Sequence, residues 1–378
     1  MPKKDAFILY IGGFELPDKN AAAHRVLNNA KILREQGEKV IFVGIDKNLP
    51  YNSNIIDTQS DVQGFCSYAV PYPKGKKQWI DYLTAINRYI ELIDYLGDIK
   101  AIILYNFQSV AMRKIIDYCE KKGIKCLADV TEWRTAKGED FVYRILKESD
   151  TWYRMHILHR KMDGLIVISR YLEKYYQDCK NVTYIPALTD LSEKKWENPY
   201  KKSEGILYLV YAGNPGFKDK INVLIEALMR VERQYCLDVI GISLEQYLDR
   251  NPQHTSFLAG NEKIVFHGQL SHIEALEYVK KANYSCFFRD DDRVSKSGFP
   301  TKFAEAISCG TPVLSNRTSN LEEYIEDDKN GILINDISPD NIKKSLERCP
   351  YKLQVQSDCF DFRQFIKLLD MYEMLNND

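Results

Sequence analysis

The sequence predicts an α/β protein built from two doubly wound parallel sheets. Three observations predict it. Apolar runs of strand length alternate with amphipathic helical stretches. The alternation halts in the polar stretch PALTDLSEKKWENPYKKSEG, residues 186–205, and then restarts. The 378 residues suffice for two domains of ordinary size.

The elements follow in order. AFILYIGG reads as a strand, AAAHRVLNNAKILREQG as a helix stopped by Gly37, and KVIFVGID as a second strand. AIILYN, the helix SVAMRKIIDYCEKKG, KCLADV and GLIVIS continue the series. The strands are continuous apolar runs, the pattern of parallel strands covered on both faces. Past an interdomain linker at 188–205 come ILYLVYAG, the helix INVLIEALMRVERQ, LDVIGI, KIVFHG, the helix HIEALEYVKKA and YSCFFR. FRQFIKLLDMYEMLN closes the series as a helix. The expected domains are 1–187 and 206–359, with a cleft between them. Ligands are expected beyond the carboxyl ends of the strands.

The net charge of -1 argues against a nucleic-acid partner. Nine Cys are scattered without a C-x-x-C pair, which reads as reduced core thiols in a cytoplasmic protein. Neither Cys nor His shows a metal-binding spacing, and no metal is expected. MPKKDAFILYIGGF has two Lys and then an apolar run of about seven residues, near the lower limit of a signal-peptide core. The run ends in Gly12-Gly13 rather than a cleavage site, so a buried first strand is expected.

Five stretches carry candidate chemistry. SGFPTKFAEAISCGTPVLSN, residues 297–316, leads from Ser297, Gly298 and Phe299 into a helix with Pro300 at its first position. The first-turn N–H groups at Thr301 and Lys302 make an anion site, and Lys302 adds a full charge. Glu305 would weaken that site unless it contacts something else. A ribose diol suits a carboxylate, and phosphate with ribose means a nucleotide; a solvated helix start is the other reading. In YAGNPGFKDK, residues 211–220, Gly213, Asn214 and Gly216 allow close backbone approach, and Lys218 and Lys220 can reach phosphate. Gly12 and Gly13 allow the same after the first strand, although the dinucleotide fingerprint is absent. LADVTEWR ends a strand with Asp129 and Glu132, as a site residue or a structural ion pair would. FFRDDDR carries Arg289 off another strand, and its three acids read as a solvated loop rather than a metal site. In YPKGKKQW, Lys74, Lys76 and Lys77 stand among aromatics, so this stretch reads as a solvated loop or as a contact with an anionic membrane.

Taken together, GGF, GLIVIS, IPALTD, YAGNPGFKDK, HGQLSHIEALEYVKKA and GFPTKFAEAISCGTPVLSN resemble the retaining family 4 (group 1) glycosyltransferases, in the branch making bacterial capsule or surface polysaccharides. The resemblance is strongest over residues 206–335. It implies a GT-B fold: two Rossmann-like domains facing across a cleft, with a C-terminal helix at 360–378 crossing back to the first. It also implies a nucleotide-sugar donor (a UDP- or GDP-sugar), no further cofactor, and a glycan or lipid-linked acceptor. The donor would lie mainly on the second domain, at Gly213, Asn214, Ser297, Gly298, Phe299, Pro300, Thr301 and Glu305, with Gly12 and Gly13 closing over it. Lys218, Lys302 and Arg289 would neutralise the leaving diphosphate, and Asp129 and Glu132 would lie on the acceptor side. The family carries an acid where Ser297 stands and commonly an Arg where Asn214 stands. Those departures keep two other readings open: a nucleotide-sugar epimerase, or a partner subunit that has lost its chemistry.

Overall fold

The computed structural model describes residues 6–17, 19–135, 141–216, 218–369 and 374–375. The chain divides into two compact units, Met1–Leu188 with Phe362–Asp378, and Thr189–Asp361.

In the first unit, β1 (Phe7–Gly12), α1 (Ala21–Glu35) and β2 (Lys39–Asp46) form the opening crossover. Then come β3 (Ser60–Val62), β4 (Phe65–Pro71), α2 (Lys76–Thr84), α3 (Asn87–Leu96), β5 (Ile99–Tyr105), α4 (Ser109–Lys122), β6 (Lys125–Val130) and α5 (Phe141–Tyr153). β7 (Gly164–Val167), α6 (Arg170–Tyr175) and β8 (Val182–Tyr184) complete it. The sheet order is β3-β4-β2-β1-β5-β6-β7-β8, and every neighbouring pair is parallel except β3 with β4. Ile8, Leu9, Tyr10 and Ile11 of β1 are fully buried, which is why the sequence there shows no polar alternation.

Residues near the chain's end join this core: Phe362, Phe365, Leu369 and Met374 pack with α1 and β1 side chains. Gln36 donates to the carbonyls of Ile366 and Leu369, at 2.6 and 2.5 Å. The expected α-helix differs at its start, since Phe362–Phe365 is a 3-10 turn. Three residues per turn put both phenyl rings on one side, toward the core. Residues 366–369 continue as turn and bend rather than helix, residues 374–375 are helical, and residues 370–373 and 376–378 lie outside the described residues.

The second unit holds β9 (Leu207–Ala212), α7 (Ile221–Leu228), β10 (Tyr235–Ile240), α8 (Leu244–Leu248), α9 (Thr255–Leu258) and β11 (Ile264–Gly268). It continues with α10 (His272–Lys281), β12 (Tyr284–Cys286), α11 (Arg293–Ser297), α12 (Thr301–Ser308), β13 (Val313–Asn316), β14 (Gly331–Ile334) and α13 (Pro339–Arg348). Its sheet is wholly parallel, in the order β11-β10-β9-β12-β13-β14. Residues 189–205 pack as part of this unit rather than hang as a linker. Trp196 is buried, Asn198 donates to the Cys309 carbonyl at 2.6 Å, and the Lys202 ammonium donates to Thr311 Oγ1 at 2.9 Å.

Both sheets share one consequence of their strand order. The chain leaves β1 toward β2 on one side, while β5 opens the series on the other. β9 and β12 do the same in the second unit. At such a reversal the flanking loops diverge and leave a crevice beyond the carboxyl ends of the two strands.

Candidate functional site

In the second unit that crevice is bounded by the loops after β9 and β12. Gly213 follows β9 with φ of +130°, and a Cβ there would lie 3.1 Å from Lys302 Nζ. Beneath it, a Cβ on Gly241 would lie 2.5 Å from the Gly213 carbonyl. Glycine at both positions lets the loop settle onto the end of β10 and leaves room for the lysine. The Asn214 side chain accepts from Gly216 N at 3.1 Å and shapes the turn. Lys218 is half-buried in the same loop.

The loop's next residue is the centre of the site. Asp219 is buried and pairs through its backbone with Arg289, beyond β12. Its carboxylate accepts from the Tyr211 hydroxyl at 2.8 Å, Arg289 Nε at 2.7 Å and Lys302 Nζ at 2.5 Å. Burial alone would raise this carboxyl. The charges of Lys302 and Arg289 outweigh burial and hold it at about 2. Burial presses the Lys302 ammonium below its usual range, against the pull of Asp219. Lys302 Nζ also sits 4.1 Å from the Tyr211 ring centroid. Asn316 fixes the Arg289 main chain from both sides, accepting from its N–H and donating to its carbonyl, each at 2.9 Å. Two cations thus share one acid, which leaves a positive charge and several N–H donors for an anion.

α12 completes this arrangement. It begins at Thr301, so Pro300 is its cap rather than its first residue, and no side chain caps its first turn. The predicted group around it divides. Gly298 is extended, with φ of -95°. Ser297 is fully buried, and its hydroxyl donates to the Val294 carbonyl at 3.1 Å, closing the short α11. Phe299 packs against Phe303, Tyr324 and Phe360, so its ring anchors the loop in the core and offers a ligand only main chain. Glu305, one turn into α12, has Oε1 3.3 Å from His272 Nε2 at the start of α10.

The structure therefore brings Gly213, Arg289 and Lys302 together around Asp219, which the sequence reading did not single out. An acid between two lysines, KDK, was the only local signal. The acids of FFRDDDR separate: Asp290 pairs with Lys220, Asp291 with Lys296, and Asp292 caps α11 at Ser295 N.

In the first unit two assignments change. Asp129 is fully buried and meets Arg25 Nε at 2.8 Å, Arg25 Nη2 at 2.7 Å, the Tyr10 hydroxyl at 2.6 Å and Asn29 Nδ2 at 3.2 Å. It is a closed structural ion pair, and no face of its carboxylate is left to meet a substrate. A Cβ on Gly12 would lie 2.7 Å from Tyr105, so this glycine serves the contact between β1 and β5. Gly13 is open apart from the Tyr82 hydroxyl, 3.4 Å from where a Cβ would stand. Glu132 accepts from Arg134 Nε at 2.9 Å.

Residues 192–349 match the family Glycosyl transferases group 1. None of the curated proteins matches the sequence. Among solved structures, sucrose-phosphate synthase (tll1590) from Thermosynechococcus elongatus has a TM-score of 0.66 at 14% identity, over 98% of this chain and 96% of that one. HepE (Alr3699) from Anabaena, in complex with UDP and glucose, has a TM-score of 0.66 at 12% identity, over 96% and 97%. WaaG, a glycosyltransferase involved in lipopolysaccharide biosynthesis, has a TM-score of 0.59 at 13% identity, over 98% and 97%. The fold shared with these proteins is the GT-B architecture of glycosyltransferases.

Proposed function

We propose that this chain transfers a sugar from a nucleoside diphosphate sugar to a hydroxyl of a glycan or lipid-linked acceptor, with retention of configuration, in surface polysaccharide synthesis. The observation that carries this reading is the pair of partly buried cations, Lys302 and Arg289, at the strand reversal of a sheet whose sequence matches a glycosyltransferase family. UDP is the favoured nucleotide, because HepE, a protein of the same fold, is described in complex with it.

The chemistry asks little else of the protein. The bond from the sugar's anomeric carbon to the diphosphate oxygen breaks, and a bond to the acceptor oxygen forms as the hydroxyl passes its proton to that departing oxygen. Negative charge accumulates on the leaving diphosphate. Lys302, Arg289, Lys218 and the first-turn N–H groups of α12 are fixed donors that stabilise it without reorganising and without a metal. Ser297 is buried where the family carries an acid, so that position supplies no carboxylate to the donor sugar. Steady turnover with a UDP-sugar separates an active enzyme from a partner subunit, and incubation of the donor alone exposes an epimerase.

Glu305 is assigned to the ribose diol. Glu305→Ala removes both hydrogen bonds to a charged acceptor, so UDP affinity should fall by about 10- to 100-fold, measured by calorimetry. Unchanged affinity would remove Glu305 from the donor site.

A membrane-borne acceptor suits α2. Lys74 is exposed before it, Lys76 and Lys77 are exposed in its first turn, and Trp79, Ile80 and Leu83 are exposed along it. No α2 residue is buried. A basic helix with bare apolar side chains matches the chemistry of an anionic bilayer surface. Co-sedimentation with phosphatidylglycerol vesicles should fall about 100-fold when the three lysines become glutamine, at roughly 1 kcal/mol each. Equal binding by wild type and the triple variant would end this assignment.

A further inference from the structure

We propose a second ligand site in the first unit: Arg154, with Arg134 at its rim, binds an oxyanion, a phosphate or a carboxylate. This deepens the transferase reading and rests on it, since it assigns a negative charge to the acceptor or its carrier.

α5 runs into a π-helical turn, Arg154–Leu158, and Arg154 opens that turn. Its side chain is 1% exposed. Nη1 donates to the carbonyls of Asn106 and Phe107 at 3.3 and 3.4 Å, both long for such bonds. Nε and Nη2 have no hydrogen-bond partner among the described residues. The contrast with the other buried arginine is direct, because Arg25 has the carboxylate of Asp129. Asp150 and Glu132, the acids whose charges act on Arg154, place their hydrogen bonds elsewhere. Asp150 accepts from Ser109 N at 2.7 Å, and Glu132 accepts from Arg134 Nε. Burial lowers Arg154 to about 10, and the charge of Arg134 beside it adds to the effect. Two guanidinium groups near enough for one to feel the other's charge, one with an unused N–H fork, match an oxyanion that takes two parallel hydrogen bonds.

The position agrees. Asn106 follows β5 directly, so Arg154 lies at the carboxyl end of β5, one of the two strands that flank the first unit's own reversal. Gln108 follows in the same loop, and its Oε1 also lacks a partner among the described residues; Gly13, beside the Tyr82 hydroxyl, follows the neighbouring strand β1. Asn106 is held by Thr131, which donates its N–H to Asn106 Oδ1 at 3.3 Å and accepts from Asn106 Nδ2. The loops after β5 and β6 are thereby tied together over the arginine.

The test is thermal melting of the full chain, with and without saturating UDP, titrated with inorganic phosphate, glucuronate and glucose at constant ionic strength. Phosphate or glucuronate should raise the melting temperature on top of the UDP shift, and glucose should not. The one that does so distinguishes a phosphate from a carboxylate acceptor. Arg154→Met should abolish the oxyanion response, and Arg134→Gln should weaken it several-fold; both should keep the UDP shift. If Arg154→Met fails to fold, Arg154→Lys and Arg134→Gln decide. A wild-type chain without an oxyanion response, or a response that these variants leave unchanged, overturns the site and leaves Arg154 solvated by water only. A UDP shift without an oxyanion response refutes this inference alone. An oxyanion response lost in the variants, without any UDP shift, refutes the donor reading and keeps the site.

Discussion

Replacing Lys302 by Met is expected to lower kcat by about 10²- to 10³-fold, the usual cost of removing one preorganised donor from a developing anion. Met keeps the length and apolar stem of the side chain, so contact with Tyr211 and Gly213 is conserved while the charge is lost. The loss should fall mainly on kcat, because the charge on the diphosphate grows as the bond to the sugar breaks. Asp219 would then keep Arg289 as its only cation, and its carboxyl should rise from about 2. The sign of the pH effect follows. An acid held at about 2, below the ~3.9 of a free Asp, stabilises the fold fully above about pH 4. That stability is lost as pH falls through 2. The stability gap between wild type and Lys302→Met should therefore be largest at neutral pH and close in acid. A steady-state assay with a UDP-sugar that the wild type turns over reads the first effect. A kcat within threefold of wild type would take Lys302 out of the reaction.

Asp129→Ala carries the largest expected loss of stability. It leaves the Arg25 guanidinium charged and buried without its acid, which costs about 3–5 kcal/mol. Typical domains hold only about 5–15 kcal/mol in all, so the variant should lose a large share of its stability. The damage spreads because Arg25 Nη1 also donates to the Ile185 and Pro186 carbonyls, at 2.9 and 3.1 Å, and Asn28 to the Leu188 carbonyl at 2.8 Å. These bonds tie α1 to the end of the first unit. Urea unfolding measures the effect, and the double variant Arg25→Met/Asp129→Leu should recover most of it, since an apolar pair leaves no orphan charge. A loss below about 1 kcal/mol for Asp129→Ala would contradict the buried pair.

Both residues show what the sequence discloses and what it hides. Strands covered on both faces, such as β1, β5 and β9, announce themselves as uninterrupted apolar runs. β4 did not, because Cys66 and Ser67 dilute its pattern and its partner β3 is a three-residue antiparallel edge. α2 was hidden for the opposite reason, since a helix that buries nothing has no apolar stripe facing a core. At the site, Gly213, Lys302 and Arg289 were legible from the strand-loop-helix context alone. Asp219 was not, because its partners lie 70 and 83 residues away and an acid among lysines looks solvated. Asp129 was misassigned for the same reason: its partner, 104 residues distant, sits on a helix that reads as amphipathic. Position along a strand predicts where a charge goes, but only the partner decides whether it works on a ligand or on the fold.

The carboxylate between Lys302 and Arg289 also acts as a filter. It is a rival anion tethered in place, at a local concentration that free phosphate or sulfate in solution does not approach. A small anion meets only the N–H donors that this acid leaves unused, and gains little. In the proposed reading, a diphosphate held by its nucleoside arrives with a local concentration of its own and takes the N–H donors that the resident acid leaves unused. Selection then falls on what the phosphate is attached to rather than on the phosphate.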